Sequence, residues 1–253
     1  MSWPGEAVWQ AVEPLLPGFT VEVLPELDST NTELMRRARA GRTEPVLLVA
    51  ECQTAGRGRL GRGWASAPGD SLTFSLGLQL APADWSGLSL AVGVALAEAL
   101  HPQVGLKWPN DLWVGSRKLG GILIETASAN ADARAPRYAV IGVGINVRVP
   151  APGSYSTPPA WLDELLPKVG AGAALLRIAR PLVEAVQAFE TFGYAPFRAR
   201  FDARDVLRDR AVVLSDGTTG SAHGTTETGG LLVHTAAGMT AVTSAEVSVR
   251  PAG

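Results

Sequence analysis

Apolar and polar positions along this chain follow two rhythms, and the change from one to the other places most of the elements. Leu72, Phe74, Leu76 and Leu78 alternate with Thr73, Ser75, Gly77 and Gln79, a period of two that predicts a strand. Val46 to Glu51 reads as a strand just before it, and Thr20 to Leu24 as a shorter one after an N-terminal segment with room for one or two helical turns. Thr30 and Glu33 have capping-box spacing, so a helix is expected from there, with Leu34, Met35 and Ala38 as its apolar face and Gly41 as its stop. Leu88 to Leu100 is almost wholly apolar and predicts a buried helix halted by Pro102. Leu112 to Val114 and Lys118 to Glu125 form the arms of a hairpin turning at Gly115-Ser116. Tyr138 to Val147 is a buried strand interrupted by Gly142 and Gly144, and a glycine inside a strand marks a close approach of a ligand or another backbone. Residues 148–160 form a loop, and Leu175 to Phe192 an amphipathic helix.

After about Val206 the texture changes. Short Val/Leu/Thr runs are punctuated by Asp216-Gly217, Gly229-Gly230 and Ala237-Gly238, at the spacing of a small all-β unit. A boundary near Asp205 is expected, giving residues 1–205 and 206–253.

Composition narrows the possibilities only in places. The 253 residues carry 22 basic and 24 acidic side chains, a formal net charge of −2, so nothing favours nucleic acid as a general partner. The single cysteine, Cys52, rules out an internal disulfide framework. The N-terminus has neither a basic region nor a long apolar stretch, and no apolar run reaches spanning length, so a cytoplasmic protein away from membranes is expected. The three histidines, His101, His223 and His234, show no metal-ligand spacing, which leaves any metal site unknown.

Against that balanced background the run Gly56-Arg57-Gly58-Arg59-Leu60-Gly61-Arg62-Gly63-Trp64 stands out. Glycine lets a backbone bend sharply and approach a ligand, and arginine offers a planar fork of donors to phosphate or carboxylate. The run contains GxGxxG spacing, but residues 63–71 are full of helix breakers and a strand follows, so the strand–turn–helix context of a dinucleotide site is missing. The alternative to an anion-gripping loop is a solvated turn. Lys107-Trp108-Pro109-Asn110-Asp111 is open in the same way, either a cluster of polar ligands or a tight turn. Lys118, ahead of Leu119-Gly120-Gly121-Ile122, is either a point charge for phosphate or an edge-strand lysine. Cys52 reads as a thiolate nucleophile or, with no histidine nearby in sequence, as a small buried apolar side chain.

Taken together, four segments resemble the bacterial biotin–protein ligases. They are Asp28-Ser29-Thr30-Asn31; Gln53 through Trp64; Lys107 to Asp111 with Lys118 to Leu123; and Gly142-Val143-Gly144-Ile145-Asn146-Val147. The match runs from Leu27 to Val147 and more loosely to the C-terminus. The resemblance implies an α+β fold: a mixed sheet with flanking helices like that of class II aminoacyl-tRNA synthetases, and a small SH3-like β-barrel behind it. It implies the monofunctional type without an N-terminal DNA-binding domain, hence no specific DNA binding, and a possible homodimer. It implies that biotin and ATP, with Mg²⁺, give biotinyl-5′-AMP, whose acyl group passes to a lysine of a biotin carboxyl carrier protein.

By the same resemblance Ser29, Thr30, Asn31, Gln53, Arg57, Gly58, Arg59 and Lys118 contact biotin or its adenylate, Trp64 lies near the adenine, and Gly142, Gly144 and Asn146 line the strand beside them. Gly56, Arg62, Lys107, Asn110 and Gly120 complete the substrate-binding set. Arg59, Lys118 and Asp111 are the candidate catalytic residues, the last to orient or deprotonate the acceptor lysine. Two departures from the family pattern are Ser71, where asparagine is common, and Ala222-His223-Gly224-Thr225, which lacks the usual charged residues. The rival within the fold is a lipoate or octanoate ligase or a Cys52-dependent transferase. Outside it, a non-catalytic biotin sensor is the other class.

Overall fold

The computed structural model describes residues 3–128, 135–151, 153, 155–243 and 249–251. Seven strands make one mixed sheet: β1 (Thr20–Leu27), β2 (Val46–Gln53), β3 (Ser71–Leu80), β4 (Gly105–Lys107), β5 (Asp111–Val114), β6 (Arg117–Ala127) and β7 (Arg137–Asn146). Their order is β1-β2-β3-β7-β6-β5-β4, with β1 and β2 parallel and the other neighbours antiparallel. The helices are α1 (Gly5–Val12), α2 (Thr30–Arg39), α3 (Leu88–Leu100), α4 (Ala171–Phe192) and α5 (Ala195–Asp202).

Strand periodicity divides the side chains between two faces. Leu47 and Val49 of β2, Phe74 and Leu76 of β3, and Ile141, Val143 and Ile145 of β7 join α3 and α4 in the main core. Their alternates Val46, Leu48 and Val140, with Tyr138, pack with Leu34 of α2 in a smaller cluster on the other face. A sheet covered on both sides is buried along its central strands, and nine of the ten β3 residues are buried, Gln79 being the exposed one.

The expected strands and the helix Leu88–Leu100 are all present. Three expectations need correction. Helix α2 is capped by Ser29, whose hydroxyl accepts from the Thr32 N–H at 3.5 Å; Glu33 bonds Arg36 and Arg37 instead of closing a capping box with Thr30. Helix α4 starts at Ala171, four residues before Leu175, and runs through Pro181. Helix α5, with Pro196 in its first turn, was not expected at all.

The C-terminal strands β8 (Ala211–Leu214), β9 (Thr219–Thr225), β10 (Leu231–Thr235), β11 (Gly238–Val242) and β12 (Val249–Pro251) form a second, antiparallel sheet in the order β11-β10-β9-β8-β12, consistent with an SH3-like unit. It meets the first part of the chain through specific bonds. The Trp108 indole N–H donates to the Gly229 carbonyl at 3.0 Å, and the Tyr194 and Thr225 hydroxyls lie 3.0 Å apart.

Candidate active site

The α2-facing side of the sheet changes character toward one end. Antiparallel register places Thr73, Gly144 and Gly121 in one row across β3, β7 and β6, and Ser75, Gly142 and Leu123 in the next. The opposite face carries Phe74, Val143 and Ile122 between those rows. Small and hydroxylated residues leave room above the backbone, and two side chains fill part of it. A Cβ on Gly142 would lie 2.0 Å from Asn31 Oδ1, and one on Gly144 would lie 2.4 Å from the Trp64 ring. These two glycines therefore admit neighbouring side chains rather than serving a turn.

The start of α2 brings Ser29, Thr30 and Asn31 onto this floor, all three buried. Gln53, at the end of β2, accepts through Oε1 from the Thr30 N–H at 2.7 Å and the Thr30 hydroxyl at 3.2 Å. The buried Ser75 hydroxyl lies 2.7 Å from Thr30 Oγ1 and 2.6 Å from Asn31 Oδ1. Asn31 Nδ2 donates to the Leu123 carbonyl at 3.1 Å and to Glu125 Oε2 at 2.9 Å. Glu125 Oε2 also meets the Arg57 guanidinium in an ion pair.

The Gly/Arg run crosses in front. The Trp64 N–H donates to the Gly56 carbonyl at 2.8 Å and the Gly58 N–H to the Arg62 carbonyl at 2.7 Å, which closes the run into a compact loop. A Cβ on Gly56 would fall 2.3 Å from the Trp64 carbonyl oxygen, so glycine is needed there. Arg59 reaches Asn110 Oδ1 at 3.3 Å. Burial lowers the Arg59 pKa from the usual guanidinium value, against the attraction of Asp111 and with the repulsion of Arg62. A guanidinium remains charged under such a shift, so the loop holds a partly desolvated cation facing the cleft. The Trp64 indole nitrogen is buried with no hydrogen-bond partner among the described residues.

A cleft of about 810 Å³ opens between the loop, the start of α3 and β6. Of the expected residues, Gly56, Arg57, Gly58, Arg59, Arg62 and Asn110 line it. Trp85, Ser89, Glu125 and Arg137 also line it and were missed by sequence reasoning. The other expected residues, Ser29, Thr30, Asn31, Gln53, Trp64, Lys107, Asp111, Lys118, Gly120, Gly142, Gly144 and Asn146, are not among its lining residues. Lys118 Nζ is paired with Asp111 Oδ1 at 2.8 Å over Gly121. Gly120 allows β6 to approach the Gly144 carbonyl, and Asn146 Nδ2 donates to the carbonyls of Ala160 at 3.0 Å and Lys118 at 3.4 Å. Lys107 sits over the Trp113 ring, 5.3 Å from its centre, outside the cleft lining. Cys52 is half-buried with its sulfur 4.0 Å from the Ser66 carbonyl. His101 follows α3, and His223 and His234 lie on β9 and β10; among the described residues none is hydrogen-bonded to the Cys52 thiol.

Residues 23–146 match the Biotin/lipoate A/B protein ligase family. A biotin protein ligase from Aquifex aeolicus, solved in complex with biotin and ATP, superposes with a TM-score of 0.78 at 30% identity, covering 92% of this chain and 99% of that one. The chain belongs to the biotin/lipoate protein ligase family. Within it, the bifunctional ligase/repressor BirA of Escherichia coli is 37% identical over 210 residues, which are 80% of this chain and 64% of that protein. The biotin–[acetyl-CoA-carboxylase] ligase of Paracoccus denitrificans is 29% identical over 240 residues, covering 89% of this chain and 98% of that one. This chain thus spans just under two thirds of the length of the Escherichia coli and Salmonella typhimurium BirA proteins.

A family whose members handle small carboxylic acids suits the cleft's chemistry. The cationic loop lies on one side of it, and the start of α3 with Asn110 and residues 122–126 of β6 on the other.

Proposed function

We propose that this chain is an ATP-dependent biotin–protein ligase. It joins biotin to the α-phosphate of ATP as biotinyl-5′-AMP with loss of pyrophosphate, and passes the biotinyl group to a lysine of a biotin carboxyl carrier domain. The observation that carries this reading is the glycine-rich loop that presents Arg57, Arg59 and Arg62 to one cleft, joined through Glu125 to the network of Asn31, Ser75, Thr30 and Gln53.

Two anions must meet for the first step. Arg57, Arg59 and Lys118 supply opposing charge, and cations in a dry site stabilise developing negative charge more than cations in water. Ser29, Thr30, Asn31 and Gln53 offer the short donors and acceptors that a ureido ring requires. A mixed anhydride is lost to water unless covered, and the loop is placed to cover it. Trp64 stands next to Gly144, beside this space, in keeping with a place near the adenine.

For the second step the acceptor amine must lose a proton. Asp111, held by Lys118, is the carboxylate assigned to orient it. Asp111→Asn should slow transfer from preformed adenylate at least tenfold, and unchanged transfer removes that role.

Among the described residues no group of three His, Cys, Asp or Glu side chains could hold a metal. We assign Mg²⁺ to the nucleotide's phosphates, where it would neutralise their charge; such an ion needs no cluster of three protein ligands. Among the described residues no helix is long and apolar enough to cross a membrane, and a lone cysteine suits the reducing cytoplasm we assign to the protein. We assign residues 206–253 to a separate small domain. We infer no sequence-specific DNA binding by these 253 residues, whose net charge is −2, and a homodimer as the assembly to test by light scattering.

The deciding experiment is ATP–pyrophosphate exchange with biotin, lipoate and octanoate offered in turn. Exchange with biotin alone is expected. Exchange only with lipoate or octanoate overturns the substrate, and none with any acid overturns the enzyme.

A further inference from the structure

The sequence motifs leave Glu125 without a role, yet it stands at the junction of the cleft's two halves. A carboxylate lining a cleft built for anions opposes ligand binding unless its charge is used. Glu125 Oε2 takes the Asn31 Nδ2–H bond at 2.9 Å and is paired with the Arg57 guanidinium. Asn31 is fixed in turn by the Leu123 carbonyl and by Ser75, whose hydroxyl also meets Thr30, which holds Gln53. One carboxylate oxygen thus connects the loop cation to the polar floor, across 68 residues on the Arg57 side and 94 on the Asn31 side. Glu125 engages Nη2 of Arg57, and a guanidinium presents five donors in a fixed fork, so the pair leaves further donors on a residue that lines the cleft. Without this anchor the Arg57 side chain, already 45% exposed, would extend into solvent.

We propose that Glu125 is a positioning residue. It fastens Arg57 to the Asn31 floor and so ties closure of the cationic loop to the pocket beneath it. The proposal rests on the reading of this cleft as an acyl-adenylate site for its functional consequence, but not for the linkage itself.

Two measurements on the full chain test it. In the first, the unliganded protein is exposed to trypsin, which cuts after Arg57, Arg59 and Arg62. Glu125→Gln keeps an oxygen for Asn31 but loses the charge for Arg57. It should raise the rate of cutting in this loop about fivefold while the melting temperature stays within about 2 °C. Unchanged cutting, or equal acceleration at distant sites, overturns the linkage. The second follows release of preformed biotinyl-AMP from the wild type, Glu125→Gln, Arg57→Gln and the double variant. Each single change should speed release about tenfold, and the double no more than Arg57→Gln alone, since removing one partner leaves the other nothing to act through. Multiplied effects mean that Glu125 acts independently of Arg57 and overturn the proposal. If the wild type forms no adenylate from any acid, the functional reading fails, while the trypsin result still decides whether Glu125 holds the loop.

Discussion

The two faces of the seven-stranded sheet are built from the same strands and do opposite jobs. On the α3/α4 face, Phe74, Ile141, Val143 and Ile145 interlock with helix side chains. On the α2 face, the next residues along the same strands are Thr73, Ser75, Gly142 and Gly144. The first face gains from volume. The second gains from its absence, because missing side chains let Asn31 and Trp64 reach the backbone. The faces should therefore fail differently when altered: one loses stability and keeps affinity, the other loses function and keeps its fold.

The largest effect is expected from Phe74→Ala on the core face. Emptying so large a buried side chain costs about 3–5 kcal/mol and should lower the denaturant midpoint sharply, while biotin affinity of the folded fraction, read by calorimetry at low temperature, changes less than threefold. A large affinity loss would show that the faces are not separable. On the site face, Gly142→Ala drives a methyl into Asn31 and should reduce kcat/KM for biotin about 100-fold, roughly 2.7 kcal/mol, with the circular dichroism spectrum intact. Wild-type kcat/KM would mean that Asn31 has no part in binding.

Arg59→Ala, in the loop that lines the cleft, should let adenylate escape on the order of tenfold faster. Filter binding after a chase would record it, and matched rates in mutant and wild type would place the intermediate out of this residue's reach.

The smallest effect concerns neither face and serves as a control. Burial pushes the Asp205 carboxyl up from 3.8 to about 6, with the Leu207 N–H pulling the other way. Between those values the folded protein binds the extra proton, so stability falls as pH rises toward 6 and beyond. Asp205→Asn should flatten this fall and raise stability at pH 8 by about 1 kcal/mol, allowing for partial solvent screening. Melting temperature measured from pH 4 to pH 8 would show it. A variant with the same slope as the wild type would put the titration elsewhere.

What the sequence disclosed of this division was local. The alternation of β3 and the apolar run of α3 are signals within a few residues, and both elements lie where expected. Gly142 and Gly144 announced a close approach but not by what, since Asn31 and Trp64 come from far along the chain. Ser75 read as the polar half of a strand, and Glu125 as its last residue. Their importance comes from partners 44 or more positions away, which no spacing rule detects. Helix α5 was hidden because Pro196 looks like a breaker, although proline is favoured in a first helical turn. The start of α4 was hidden by Gly170 and Gly172 and the lack of a capping side chain. At α2 the serine and threonine are adjacent, and only geometry told which one caps.

The bond from Trp108 to the Gly229 carbonyl ties the C-terminal strands to the turn whose Asn110 lines the cleft. Trp108 opens the turn that carries Asn110 and Asp111, and its ring is 1% exposed. Gly229 has φ of +86°, and a Cβ there would sit 2.8 Å from the Gly87 Cα, so the two segments meet with no room for a side chain. The tail is therefore a brace under the turn that leads into Asp111. A chain cut before Ala211 would leave the indole N–H with nothing to hold and the Asp111 carboxylate on a support free to sag.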